Sequence, residues 1–354
     1  MKNHLPMTAI GLMSGTSVDG LDVCCARFDE HGGRWSFQIL GARGYEYPRN
    51  LRQKLLSEVQ GMSARDFVGF HSEYGRFLGE RVNDFMGEYG IRPDIIASHG
   101  STVFHEPDKK IMFQIGDGAA IAAVTGIPTV SDFRRLDIML GGQGAPLVPI
   151  GDNLLFADYD YCLNIGGFSN ISFLKGEQRI AFDISPVNYV INRYARSIGL
   201  EMDRDGNLAR TGQVDEVLLD RLNALPYYAK PYPKSLSREW VEGTVFPLLE
   251  QCGLPLNDLL RTYYEHCACQ LANNTVPGRN ILVTGGGAYN GFLISRMRNL
   301  SGCELVVPEA EIVEYKEALI FAFLGVLYML DRPSCLRSVT GAGRDNIGGM
   351  LFKL

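Results

Sequence analysis

The run Ile10-Gly11-Leu12-Met13-Ser14-Gly15-Thr16-Ser17-Val18-Asp19-Gly20-Leu21-Asp22-Val23 gathers the residue types that hold an anion. Hydroxyls at Ser14, Thr16 and Ser17 and glycines at 15 and 20 sit between two short apolar arms. Arms of that length suit strands, and glycine admits the positive φ of a tight turn, so consecutive backbone N–H groups can point at a phosphate. No Gly-Lys-Ser/Thr follows, which excludes a Walker loop and leaves an ordinary glycine-rich hairpin as the alternative. The mixture returns about 150 residues later, one domain length on, as Leu163-Asn164-Ile165-Gly166-Gly167-Phe168-Ser169-Asn170. Near the C-terminus a buried strand, Ile281 to Thr284, runs into Gly285-Gly286-Gly287 and on to Asn290. Three glycines let a purine or ribose lie close to backbone, or simply make a strand-to-helix turn.

Titratable residues join these turns. Asp183 stands between an apolar stretch and Pro186; an ionised carboxylate there takes a proton as a general base, or caps a helix. Asp19 and Asp22 suit either a Mg²⁺ ion beside bound phosphate or a plain turn. Glu317 opens a helical pattern, where the dipole favours a carboxylate in any case. His99 ends the strand-like Ile95–Ser98, a place where open α/β sheets put ligands. Arg134 and Asp137 follow a strand at 128–131 and suit sugar hydroxyls, or each other.

A chain of 354 residues exceeds one ordinary core, so two lobes are expected. With 46% apolar and 21% charged residues and a net charge of −6, the composition is globular and argues against binding nucleic acid or an anionic membrane. Eight cysteines form no C-x-x-C set and read as small core residues. Gly11 and Ser14 interrupt any signal-peptide core, and the uncharged run Ala318–Leu330 falls short of the roughly 20 residues of a membrane span. A cytoplasmic protein is expected. Three- and four-residue apolar spacing predicts a helix over 65–89 capped by Ser63, further helices over 51–60, 241–252 and 256–274, and one from about Pro186 to Gly199. Gly141–Pro149 reads as a shaped loop, and Asp203–Asn207 as a turn without the glutamate of a calcium loop.

Two repeated hairpins and a triple-glycine turn resemble the phosphate and adenosine motifs of the actin, hexokinase and heat-shock ATPase superfamily. Within it, the wording resembles the anhydro-N-acetylmuramic acid kinase family. The pieces that match are Gly11–Gly20, His99-Gly100, Gln114–Asp117, Asp132–Asp137, Gly141–Pro149, Leu163–Asn170, Gly285–Gly287, Glu317–Leu319 and Ser338–Ala342, in the family's order. The resemblance implies an α/β protein of two ribonuclease-H-like lobes around a nucleotide cleft. The first lobe would span 1–155 joined by 335–354, and the second 156–334. It implies a cytoplasmic homodimer that uses ATP and Mg²⁺ to open the ring of a small amino sugar, 1,6-anhydro-N-acetylmuramic acid, and to phosphorylate O6 in cell-wall recycling. On matching positions, Asp183 is the catalytic base, with Glu317 catalytic and metal-side. Gly15, Thr16, Ser17, Val18, Asp19, Gly20, Leu21, Asp22, Gly166, Gly167, Gly285, Gly286, Gly287 and Asn290 would hold the nucleotide, Asp19 also the metal. His99, Arg134, Asp137 and Asn188 would hold the sugar.

One stretch departs from the family. Where it has Phe/Tyr-Asp-Thr-Gly-Pro-Gly-Asn, this chain has Phe182-Asp183-Ile184-Ser185-Pro186-Val187-Asn188, and Lys-Ser-Thr-Gly-Arg-Glu has become Lys234-Ser235-Leu236-Ser237-Arg238-Glu239. Ser185 and Val187 each add a Cβ where a strained turn would forbid one. A plain kinase for another amino sugar, and a nucleotide-binding sensor without turnover, are the alternatives this departure raises.

Overall fold

The structure, a computed structural model, describes residues 4–15, 18 and 20–354. Thr16, Ser17 and Asp19, three of the expected nucleotide and metal residues, lie outside the described residues. The chain divides into two compact units, Met1–Leu155 with Tyr315–Leu354, and Phe156–Glu314. The chain rejoins the first unit at Tyr315, ahead of the return at 335 expected from sequence.

In the first unit the apolar arms of the opening run form β1 (Met7–Ser14) and β2 (Gly20–His31), followed by β3 (Arg34–Glu46). Next come β4 (Ile95–Ser98), β5 (Ser101–Glu106), β6 (Ile111–Ile115) and β7 (Thr129–Ser131). The second unit holds β8 (Tyr161–Ile165), β9 (Phe168–Lys175), β10 (Gln178–Pro186), β11 (Asn280–Thr284) and β12 (Glu304–Val306). A last strand, β13 (Met350–Phe352), returns to the first. The sheet orders are β13-β7-β4-β1-β2-β3 and β10-β9-β8-β11-β12, with β5 and β6 as a separate pair.

Each unit therefore has the same plan. Three antiparallel strands are made from two hairpins, and two parallel strands are added on the far side of the first. That is the ribonuclease-H-like topology, and the sequence echo between the turn after β1 and the turn after β8 is its trace. Parallel neighbours need crossovers, supplied by helices.

The helices that matter are α1 (Ala64–Tyr89), α2 (Gly118–Thr125), α3 (Asn188–Arg196), α4 (Leu256–Ala272), α5 (Gly291–Ser301) and α6 (Ala310–Met329). Ser63 caps α1, its hydroxyl accepting from the Asp66 N–H, and Gly90 ends it in the left-handed region. The face Phe70, Tyr74, Leu78, Val82 and Phe85 is buried, as the spacing predicts. Among the described residues no helix is long and apolar enough to cross a membrane. Six of the eight cysteines are buried.

Helix α6 runs close to the first sheet, and glycine permits it. A Cβ on Gly11 would lie 1.8 Å from the Ala318 carbonyl oxygen. Backbone cannot move aside as a side chain can, so Gly11→Ala should cost about 1–3 kcal/mol or more by overpacking. In contrast, Gly69 lies within α1, and nothing stands within 4 Å of the place its Cβ would take. Gly69→Ala should add about 0.5–1 kcal/mol through helix propensity. Denaturant midpoints that moved in the same direction for both variants would contradict this packing.

Candidate active site

In the second unit, β8 and β11 are parallel neighbours with Thr284 opposite Asn164, so the turns that follow them meet. Gly285 has φ +79°, and a Cβ there would lie 2.6 Å from Asn164 Oδ1. A Cβ on Gly287 would lie 2.2 Å from Ile165 Cγ2. These two glycines are required by the fold itself. Gly286 differs, because nothing stands within 4 Å of its Cβ position. Gly166 and Gly167 likewise meet nothing nearer than 3.6 Å. The turns thus present bare backbone to open space, which suits a flat ring or phosphate laid against it.

The β8–β9 turn is anchored from behind. The Gly167 carbonyl accepts from the Val187 N–H (2.8 Å) and the Tyr189 N–H (3.1 Å), and the Gly166 carbonyl from the Asn188 N–H (3.2 Å). Asn188 therefore sits at the start of α3 against Gly166. Asn290 is placed otherwise than expected. It is the N-cap of α5, its Oδ1 accepting from the Leu293 N–H and its amide donating to the Tyr264 hydroxyl. That hydroxyl donates to Asp203, which also takes the Leu208 and Ala209 N–H groups. The Asn290 side chain is hydrogen-bonded within the fold, held there by Tyr264 and by Asp203, which the sequence marks only as part of a turn.

Asp183 lies inside β10, opposite Asn170, where the register shifts before Ser185. It is not a helix cap, since α3 begins at Asn188. Its Oδ2 accepts from the Leu236 N–H at 2.8 Å. Burial raises its pKa, and the Leu236 hydrogen bond opposes that rise.

In the first unit, the described part of the hairpin turn is closed by a Val18 N–H to Gly15 carbonyl bond of 3.1 Å. Val18 has φ +53°, and its side chain joins the core, as does that of Leu21. Gly20 meets the Tyr45 carbonyl, which a Cβ would approach to 2.7 Å. Asp22 pairs across the strands with Met13 and Gly44. The Ser14 hydroxyl does not point to an anion. It closes a buried ring with the Tyr47 and Tyr74 hydroxyls at 2.7–2.8 Å. Tyr47 donates to Ser14, so Ser14 donates to Tyr74 and Tyr74 back to Tyr47.

His99 is buried. Its Nε2 receives the Arg134 guanidinium at 2.8 Å and the Gln114 amide at 2.9 Å. Arginine only donates, so Nε2 is the acceptor and Nδ1–H donates to the Gly100 carbonyl (2.8 Å). Both nitrogens are used within the protein, which removes His99 as a hydrogen-bonding partner for a sugar. Arg134 also donates to the Gly144 carbonyl. Burial pushes it down to about 10, and it remains charged at neutral pH. Asp137, expected at the sugar or paired with Arg134 on the surface, is fully buried. Its carboxylate takes the Gly144 N–H, the Thr340 hydroxyl and the Asn346 amide, each at 2.8 Å, and ties the Gly141–Ala145 loop to the C-terminal segment. Beside His99 lies a pocket of about 180 Å³, lined also by His71, Phe113, Asp117 and Arg135.

Glu317 is not at a helix start but well inside α6. Its side chain is exposed. The protein crowded around it raises its carboxyl pKa, with Arg134 and Lys316 opposing. Its neighbour Lys316 forms a buried ion pair with Asp152 at 2.6 Å.

The anhydro-N-acetylmuramic acid kinase family profile matches residues 7–353. Proteins named anhydro-N-acetylmuramic acid kinase from two strains of Vibrio vulnificus, CMCP6 and YJ016, are each 35% identical over 97% of this chain and 97% of their own. The chain belongs to the anhydro-N-acetylmuramic acid kinase family. Among solved structures, the activator of 2-hydroxyisocaproyl-CoA dehydratase from Clostridium difficile with bound ADPNP covers 92% of this chain and 96% of its own, at 14% identity and a TM-score of 0.46.

The departure from the family's glycines is absorbed locally. Ser185 and Val187 are both fully buried, and neither has a positive φ. Val187 has φ −124° and packs into the core of the second unit. The Ser185 hydroxyl lies 3.2 Å from that of Ser169 on β9. For a metal, no group of three His, Cys, Asp or Glu side chains comes together among the described residues. Mg²⁺ needs fewer, since it keeps several waters and takes one or two carboxylates beside substrate phosphates. The exposed Glu317 carboxylate fits that demand.

The neutral His99 has a consequence for stability. Burial, chiefly, lowers its pKa from 6.5 to about 3. Below pH 6.5 the unfolded chain binds a proton that the folded chain refuses, so stability falls with pH from there down to about 3. His99→Gln should lose stability less steeply between pH 6.5 and about 4. Equal slopes of unfolding free energy against pH would speak against a buried neutral imidazole.

Proposed function

We propose that this chain is an ATP- and Mg²⁺-dependent kinase that opens the 1,6-anhydro ring of anhydro-N-acetylmuramic acid with water and phosphorylates O6. The product is N-acetylmuramic acid 6-phosphate, as cell-wall recycling requires. The observation that carries the reading is the Asp183 carboxylate: half-buried, with Oδ2 held by the Leu236 N–H and no donor on Oδ1 among the described residues. A carboxylate fixed through one oxygen offers the other to a water.

Asp183 takes a proton as the water oxygen bonds to C1 of the sugar. The C1–O6 bond breaks and O6 keeps its electron pair. O6 then bonds to the γ-phosphorus, and ADP leaves. Backbone N–H groups of the Gly15–Gly20 turn and of Gly166–Gly167 receive phosphate oxygens in this reading, and Gly285–Gly287 receive the nucleoside. Asn188, next to Gly166, meets the sugar in this reading. Mg²⁺, held on the protein side by Glu317 and Asp19, would offset the charge on the phosphate oxygens. The burial of the Ser185 and Val187 side chains supports keeping the anhydro-sugar reading ahead of a plain kinase for another amino sugar.

Water labelling tests the reaction. In heavy-oxygen water, solvent oxygen should enter the sugar product once per turnover, above a control for anomeric exchange on free product. Label at the level of that control would leave an ordinary kinase. Asp183→Asn should abolish turnover while ATP still binds, since an amide keeps the shape but takes no proton. The rise in the Asp183 pKa places the acid limb of kcat/KM above the ordinary aspartate value of 3.8. Gly286→Val separates nucleotide contact from folding, because the fold leaves that Cβ room. We expect an unchanged melting temperature and ATP affinity reduced about tenfold or more, as for a clash confined to the ligand. Normal ATP binding by a folded Gly286→Val would make the triple glycine a turn and nothing more.

A further inference from the structure

Strand β10 is the edge of its sheet, and an edge leaves one row of backbone groups unpaired. At Asp183 that row is met by residues 227–236, a segment without regular structure. The Asp183 N–H donates to the Lys234 carbonyl at 3.2 Å. The Tyr227 hydroxyl donates to the Asp183 carbonyl at 2.6 Å. Two residues past Lys234, the Leu236 N–H reaches the Asp183 carboxylate. One residue thus has its N–H, its C=O and one carboxylate oxygen all held by a single segment.

The segment is itself fastened. The Tyr232 ring stacks on Phe182 with centroids 5.5 Å apart and planes 8° from parallel. The Lys234 ammonium donates to the Tyr228 carbonyl at 3.2 Å and lies 4.9 Å from the Tyr227 ring and 5.5 Å from the Phe182 ring. Its charge is met by carbonyls and ring faces, an arrangement that holds backbone in place more than it neutralises an acid.

We propose that residues 227–236 form a strap that aims the Asp183 carboxylate, with Tyr227 and Lys234 as positioning residues for its proton transfer. This rests on the reading of Asp183 as the base. Of the strap's titratable groups, the Tyr227 hydroxyl meets the Asp183 carbonyl, whereas the Lys234 ammonium turns to the Tyr227 and Tyr228 carbonyls and braces the strap. The partner of Asp183 across the sheet, Asn170 on β9, carries no charge. The Leu236 N–H favours the ionised carboxylate, so slackening the strap raises the pH at which Asp183 gives up its proton.

Tyr227→Phe removes one hydroxyl and keeps the ring; Lys234→Met keeps the stem and removes the charge. Each should lower kcat about tenfold with a small change in KM for the sugar, and move the acid limb of kcat/KM to higher pH. A second readout needs no turnover. In protein labelled with ¹⁵N-leucine, the Leu236 amide, assigned by its disappearance in Leu236→Met, should report Asp183 titrating, at higher pH in the variants than in the wild type. Folded variants with unchanged kcat and an unchanged Leu236 titration would overturn the proposal. If Tyr227→Phe does not fold, Lys234→Met carries both measurements. A wild type that fails to turn over the anhydro sugar would sink the reaction proposed above, whereas the Leu236 titration would still decide whether the strap holds Asp183.

Discussion

Two carbonyl groups, those of Gly166 and Gly167, set the geometry on which the second unit's site depends. The opening amides of a helix have no partner within it and ordinarily attract an anion or a capping side chain. Here the first amides of α3 and the Val187 N–H before it bind the carbonyls of the hairpin turn. The bonds lock the turn to the corner between β10 and α3. Because the carbonyls are pulled backward, the open side of each glycine faces away from the protein. The same corner carries Asn188 and, five residues earlier, Asp183, so the turn and the Asp183 carboxylate are set by one piece of backbone.

The first unit uses polar chemistry differently. His99, Arg134, Gln114 and the Gly144 carbonyl form one connected set, and Asp137 binds the adjoining loop to residues 340 and 346. These are the residue types that a sugar site needs, but the structure spends most of their donors and acceptors inward. Buried polar groups are costly unless satisfied, and a network of this kind specifies one loop conformation rather than an exchangeable surface. The Gly141–Pro149 loop, too rich in glycine and proline to hold itself, takes its shape from Asp137 and Arg134.

Local features are legible in the sequence. Glycines in hairpins, the capped α1 and the repeat between the two units follow from spacing and turn chemistry, which act over a few residues. What is not legible depends on partners far along the chain. Asp137 reads as a ligand residue because Thr340 and Asn346 lie some 200 positions away. The sequence shows nothing of the Asn290 side chain's hydrogen bond to Tyr264, which sits on another helix. Asp183 stands out in the sequence, but its surroundings read wrongly as a helix start: Pro186 suits a first helical turn as well as it suits the end of an edge strand. Glu317 is misplaced for a related reason, since the charged residues before it on α6 hide how early the helix begins.

The hydroxyl ring of Ser14, Tyr47 and Tyr74 has a property that follows from counting protons. Three hydroxyls supply three hydrogens, and a closed circuit uses all of them, so the ring has a direction. Reversing it requires every proton to move at once, and none can turn alone without leaving a buried oxygen short of a donor. The end of β1 is thus joined to β3's exit and to α1 by a circulating, chiral unit that neither bends toward solvent nor lends a hydrogen to a passing anion. The start of the glycine turn is held at Ser14 as a rigid peg.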